Sequence, residues 1–334
     1  MRINRQTLLK IADDTVAQQA RRDRSLLSAY LCGSLLDDEF LLGGATDIDL
    51  VYIHTDPVPD QREIVRLTDD VHLDIAHYPQ KDFRKTRMLR LDPWLGPAIF
   101  GCKVLYDPQH FMDFTQASVR GQFQRPDYVV ERARQQLDGA RQIWMSFYTD
   151  LPDQPGPQEV SLYLSALEGA GNAIASLSSP PLTERRFLLN YRHSVEAVDR
   201  AGMYAGMLGL LGAPNVDVEA LHIWSSAWRV CLEALPAETA PARLHPHRIP
   251  YYQRAFEATL DGDQPTAVLW PMLNTWTLAA SLLPRDADSV LAWSKACSYL
   301  GLLGAGFTER VEALDIYLDM VEETLESWAQ DNGV

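Results

Sequence analysis

The chain has 334 residues, of which 46% are hydrophobic and 22% charged, enough for one large domain or two ordinary ones. That composition excludes a disordered chain, a collagen-like repeat and a disulfide-stapled miniprotein. With 30 Lys and Arg against 45 Asp and Glu, the formal net charge is -15. This balance argues against a nucleic-acid polymer as partner and favours a small or cationic ligand.

In chain order, a helix is expected from about Gln6 to Arg21, then a strand at Ser28 to Cys32. Ile48 to His54 is β-branched and ends at a Thr-Asp-Pro turn. Val71 to Tyr78 alternates apolar and polar residues, as a half-buried strand does, and stops at Pro79. Lys103 to Tyr106 is a short fourth strand. Asp60 to Leu67 and Lys81 to Leu91 are expected to be helical, which makes the first third a mixed α+β domain.

The pattern changes after Pro126. Val130, Ala133, Leu137, Ala140, Trp144 and Phe147 share one helical face. Leu151 to Pro157 breaks the chain, and Val160, Leu164, Leu167, Gly171, Ile174 and Leu177 form a second stripe. Val311 to Trp328 forms a last one. The expected organisation is therefore an α+β domain over residues 1-122, a mixed sheet with helices, followed by an all-α helical bundle over 123-334.

Cys32, Cys102, Cys231 and Cys297 form no CxxC pair and are expected to be reduced thiols of a cytoplasmic protein. The first twenty residues turn polar too soon for a signal peptide. Ala267 to Pro284, the most apolar stretch, is interrupted by Pro271 and Asn274 and is expected to be a buried helix, so no membrane partner is anticipated. Oligomeric state has no sequence signal.

The segment from Leu31 to His54 carries the chemistry. Asp47 and Asp49 sit two apart at a strand start, so both carboxylates project to one face. Close carboxylates are costly unless a cation neutralises them, and oxygen-only donors favour Mg²⁺. Asp74 lies mid-strand and completes a three-acid group if the two strands are neighbours. Gly33-Ser34 follows the first strand, where a glycine lets backbone N–H groups approach a phosphate and the serine hydroxyl adds a donor.

Gly33-Ser34, then Thr46-Asp47-Ile48-Asp49-Leu50 and the later Asp74, resembles the DNA polymerase β-type nucleotidyltransferase superfamily, most of all its small-molecule branch, the aminoglycoside (kanamycin-type) nucleotidyltransferases. The likeness covers the first third of the chain, the expected nucleotidyltransferase domain, and is only architectural beyond it. It implies that Asp47 and Asp49 hold two Mg²⁺ ions, that Asp74 binds the catalytic one, and that Gly33 and Ser34, with Thr46, bind the nucleotide. It also implies that AMP, from ATP or another nucleoside triphosphate, passes to a hydroxyl of a small molecule while pyrophosphate leaves. A glutamate of the helical domain can serve as base in such relatives, and Glu168, at the edge of an apolar stripe, is the candidate, with Asp74 as the alternative. The sequence departs from the relatives in the loop Leu35 to Ala45, which carries Asp37, Asp38 and Glu39 and no cation. Arg84, Lys85, Arg87, Arg90, Arg185 and Arg186 are the candidate triphosphate cations. Two other readings stand beside this one: AMP transfer to a partner protein, as in nucleotidyltransferase-type toxin–antitoxin systems, and a non-catalytic nucleotide-binding module.

Overall fold

The structure is a computed structural model that describes residues 3–55, 58 and 62–334. The chain divides into two compact units, Met1–Tyr128 and Val129–Val334. The first is a mixed sheet with helices. In it run α1 (Arg5–Arg22), β1 (Leu26–Cys32), β2 (Thr46–His54), β3 (Arg62–Arg66), β4 (Val71–Pro79), α2 (Thr86–Leu91), α3 (Leu95–Gly101), β5 (Lys103–Tyr106) and α4 (Phe111–Arg120). The strand order is β3-β4-β2-β1-β5. β2 and β4 are parallel, and the other pairs are antiparallel.

Strand alternation decides what lies on each face. Ile48, Leu50 and Tyr52 of β2, with Leu73 and Ile75 of β4, pack under Leu8, Ala12 and Val16 of α1. Val51 and Ile53 point the other way, onto Phe83, Leu89, Ile99, Met112 and Val119, which come from α2 to α4 and the turn before them. Asp47 and Asp49 share the parity of Val51 and Ile53. They therefore lie on the second face, at the start of β2.

One expected element is corrected. Asp60 to Leu67 is not helical where it is described: Arg62–Arg66 is the edge strand β3, paired antiparallel with β4. Its charges suit an exposed helix as well as an edge strand, and backbone pairing with β4 decides between them. Asp60 and Gln61 of that expected helix, and Asp56-Pro57 of the expected turn, lie outside the described residues. The expected single helix Lys81 to Leu91 is a 3₁₀ turn, Gln80–Phe83, followed by α2.

The second unit contains all but the first three residues of α5 (Pro126–Thr149), then α6 (Pro157–Ala175), α7 (Phe187–Ala197), α8 (Gly202–Leu210), α9 (Val218–Glu233), α10 (Ile249–Leu260), α11 (Leu269–Leu282), α12 (Asp288–Tyr299) and α13 (Ala305–Asp331). No strand follows β5 among the described residues. α6 is buried along most of its length and packs on α11 and α13. Its Gly169 lies so close to α5 that a β-carbon there would sit 2.7 Å from the Gln136 carbonyl oxygen. Trp228, Trp270 and Trp276 are fully buried, each contributing about 2 kcal/mol or more in apolar burial. Trp228 donates its indole N–H to Thr275 Oγ1 at 2.8 Å, so its burial costs no hydrogen bond. Among the described residues, no helix is long and apolar enough to cross a membrane.

Candidate metal and nucleotide site

The parallel register of β2 and β4 sets Asp74 directly beside Asp49, and His72 beside Asp47. One carboxylate oxygen from each of Asp47, Asp49 and Asp74 lies within 4.8 Å of the other two. Asp47 and Asp74 are buried, and Asp49 is half-buried. At that range two like charges repel by about 3 kcal/mol even at an effective dielectric of about 20, so the group requires a positive partner.

Arg62 supplies one. From β3 it reaches diagonally across to β4, donating Nε–H to Asp74 Oδ1 at 2.6 Å and Nη2–H to Asp74 Oδ2 at 2.9 Å. This is the fork-to-carboxylate arrangement that guanidinium makes best. The group as a whole is three carboxylates with no nitrogen or sulfur donor, a set that suits Mg²⁺ or Mn²⁺, and Arg62 covers the Asp74 member of it.

Gly33 directly follows β1 and lies beside Asp49, because Cys32 is the register partner of Asp49. Its φ is 75°, and a β-carbon would sit 1.9 Å from Asp49 Oδ2. Both the backbone conformation and the space demand glycine. Ser34 then opens a 3₁₀ turn, Ser34–Leu36, which is held against α1 by Arg5. Arg5 donates Nε–H to the Leu35 carbonyl at 3.0 Å and Nη2–H to that of Leu36, and pairs with Asp38 at 3.4 Å. The acidic loop thus takes its cation from the first helix.

Thr46 is fully buried, and strand parity puts its side chain on the α1 face, opposite the acids. Its hydroxyl donates to the Asp47 carbonyl at 3.2 Å. The Cys32 thiol has its pKa pushed well up, by burial first and then by the negative charges of Asp49 and Asp74.

The candidate cations differ in setting. Arg84, Lys85 and Arg87 are exposed. Arg90 instead ties α2 to α4, donating Nη2–H to the Ser118 carbonyl at 2.9 Å and Nη1–H to Gln122 Oε1 at 2.8 Å. In the second unit, Arg185 is buried with its guanidinium carbon 3.4 Å from the centre of the Tyr251 ring. Glu168, half-buried on α6, has its pKa raised by burial; Arg243 opposes that shift and Glu184 adds to it. Arg243 pairs with Glu184 at 2.5 Å, and Tyr252 donates its hydroxyl to Glu184 at 2.7 Å.

Sequence reasoning missed three features. Arg62 was hidden in an expected helix, and the Arg5 contact spans thirty residues. The third is a buried imidazole pair on the α1 face. His54 Nε2 lies 2.9 Å from His77 Nδ1, with Ser25 Oγ 3.0 Å from His54 Nδ1 and Glu63 3.0 Å from His77 Nε2. No protein-family model matches the chain, and no curated protein matches it.

Proposed function

We propose that the chain is a Mg²⁺-dependent nucleotidyltransferase that moves AMP from ATP to a hydroxyl of a small molecule and releases pyrophosphate. The single observation that carries the proposal is the convergence of Asp47, Asp49 and Asp74 beside a glycine that has no room for a side chain. In this reading Asp47, Asp49 and Asp74 would hold the metal. The bound ions would polarise the α-phosphoryl group and neutralise charge on the attacking and leaving oxygens. Gly33 and Ser34 would approach the phosphates through backbone N–H groups and the serine hydroxyl.

The proton of the attacking hydroxyl goes to Glu168 in this proposal. Asp74 is the less accessible candidate, because both of its oxygens accept from Arg62. Burial raises the Glu168 pKa toward neutrality, the range in which a carboxylate takes and releases protons most effectively. A net charge of -15 favours a neutral or cationic acceptor, such as an aminoglycoside, over a nucleic-acid polymer.

Incubation with α-labelled ATP, Mg²⁺ and a panel of hydroxylated small molecules tests this. Label on a small molecule, lost in Asp47→Asn and Asp49→Asn, supports the proposal. Label on a protein instead supports the protein-modifying alternative, and nucleotide binding without transfer supports a non-catalytic module.

A further inference from the structure

Arg62 occupies the carboxylate that the metal reading needs. Both guanidinium bonds to Asp74 are short, and Asp74 is almost completely buried. Releasing that fork without a replacement cation would leave a buried charge next to two others. Arg62 itself is not trapped: its side chain is 51% exposed, on an edge strand. It also lines a cleft of about 680 Å³ at the far end of β4, whose other lining residues include Lys81, Asp82 and Arg84. The side chain therefore pairs with a carboxylate that belongs to the candidate metal site, and it borders a cation-rich cleft.

We propose that Arg62 is the exchangeable counter-ion of the acid group. It competes with a divalent cation for Asp74, keeps cation binding weak while no anion is present, and couples cation binding to the arrival of a phosphate-bearing ligand. The physical basis is direct. A guanidinium within hydrogen-bond distance of a metal-binding carboxylate repels a second cation and uses the lone pairs that the cation would take. An anion that draws the guanidinium away removes both obstacles. Arg62 is thus a positioning residue that acts through Asp74, and the inference rests on the metal reading of Asp47, Asp49 and Asp74.

The test is Mn²⁺ binding to the full chain, read by electron paramagnetic resonance in the absence of nucleotide. Arg62→Gln is expected to bind Mn²⁺ about tenfold more tightly than the native protein, because it removes a neighbouring positive charge. Arg62→Lys, which keeps the charge and loses the fork, is expected to fall between them. A non-reactive ATP analogue is expected to tighten Mn²⁺ binding more in the native protein than in Arg62→Gln. Unchanged or weaker Mn²⁺ binding by a folded Arg62→Gln, with Asp47→Asn still abolishing binding, overturns the role of Arg62 and leaves the metal reading standing. Mn²⁺ binding to none of these proteins, or binding that Asp47→Asn leaves intact, overturns the metal reading and the competition together.

Discussion

Gly33 and Asp49 are in such close approach that a β-carbon on the glycine would sit 1.9 Å from the carboxylate Oδ2. Asp49 lies on β2 and Gly33 directly follows β1, and the register that pairs Cys32 with Asp49 brings that next residue over the carboxylate. A positive φ of 75° adds a backbone cost for any other residue. Gly33→Ala is expected to lose about 2 kcal/mol or more of stability and to displace Asp49 from the acid group. Urea unfolding checks the first effect and Mn²⁺ titration the second. A fully stable Gly33→Ala with native Mn²⁺ affinity would show that the approach places no demand on this site.

Glu168 gives a pH-dependent prediction whose sign follows from burial. Its pKa is raised in the folded protein above the ordinary value of 4.5, so the folded state holds that proton more tightly than the unfolded chain does. Stability contributed through Glu168 is therefore present at low pH and lost as pH rises from 4.5 through the raised value. Glu168→Gln should melt higher than the native protein at pH 8 and differ little at pH 4. In the proposed reaction the same variant loses transfer. Equal melting temperatures at pH 8 would remove the burial argument for Glu168 as base.

The two facing imidazoles share one tautomer. His54 Nε2 and His77 Nδ1 lie 2.9 Å apart, so in the neutral pair one of them carries the proton between them, and both rings are then either Nε2–H or Nδ1–H. The Glu63 carboxylate, 3.0 Å from His77 Nε2, favours Nε2–H on both; the Asp23 carboxylate lies farther, 3.5 Å from His54 Nδ1. Nitrogen-15 correlation spectra at pH 9 should report the Nε2–H form for both rings. Observation of the Nδ1–H form on both would show that Asp23, and not Glu63, sets the tautomer.

All four cysteines are free, and burial raises the pKa of each thiol, that of Cys102 to about 12. The thiolate is the reactive form, so the folded protein should react slowly with Ellman's reagent at pH 7.5. In guanidinium chloride four equivalents should react promptly. Rapid modification of Cys32 alone in the folded state would mean that its neighbours do not hold it protonated.

The parts of this molecule that the sequence revealed are those with a local period. Alternation over Val71 to Tyr78 marks β4, and the two-residue spacing of Asp47 and Asp49 puts both on one face whatever the neighbouring strand. The stripe through Val160, Leu164 and Leu167 marked α6 in the same way. Contacts between distant segments were not legible. β3 exists because β4 offers it a backbone ladder, and Arg62 meets Asp74 only through that hairpin. Arg5 meets the acidic loop only because α1 packs across the sheet, so a search for cations within Leu35 to Ala45 could not find it. Thr46 shows the limit of motif reading. It borders the acid pair in sequence, and strand parity turns its side chain to the opposite face.

The proposed function requires Asp47, Asp49 and Asp74 to form a metal site that receives a nucleoside triphosphate. Calorimetric titration with a non-reactive ATP analogue, in Mg²⁺ and then in EDTA, on the native protein and Asp47→Asn, tests it most directly. Binding in the micromolar range that requires Mg²⁺ and is lost in the variant is the expected result. Absence of binding in Mg²⁺, or binding unchanged by EDTA and by Asp47→Asn, would contradict it.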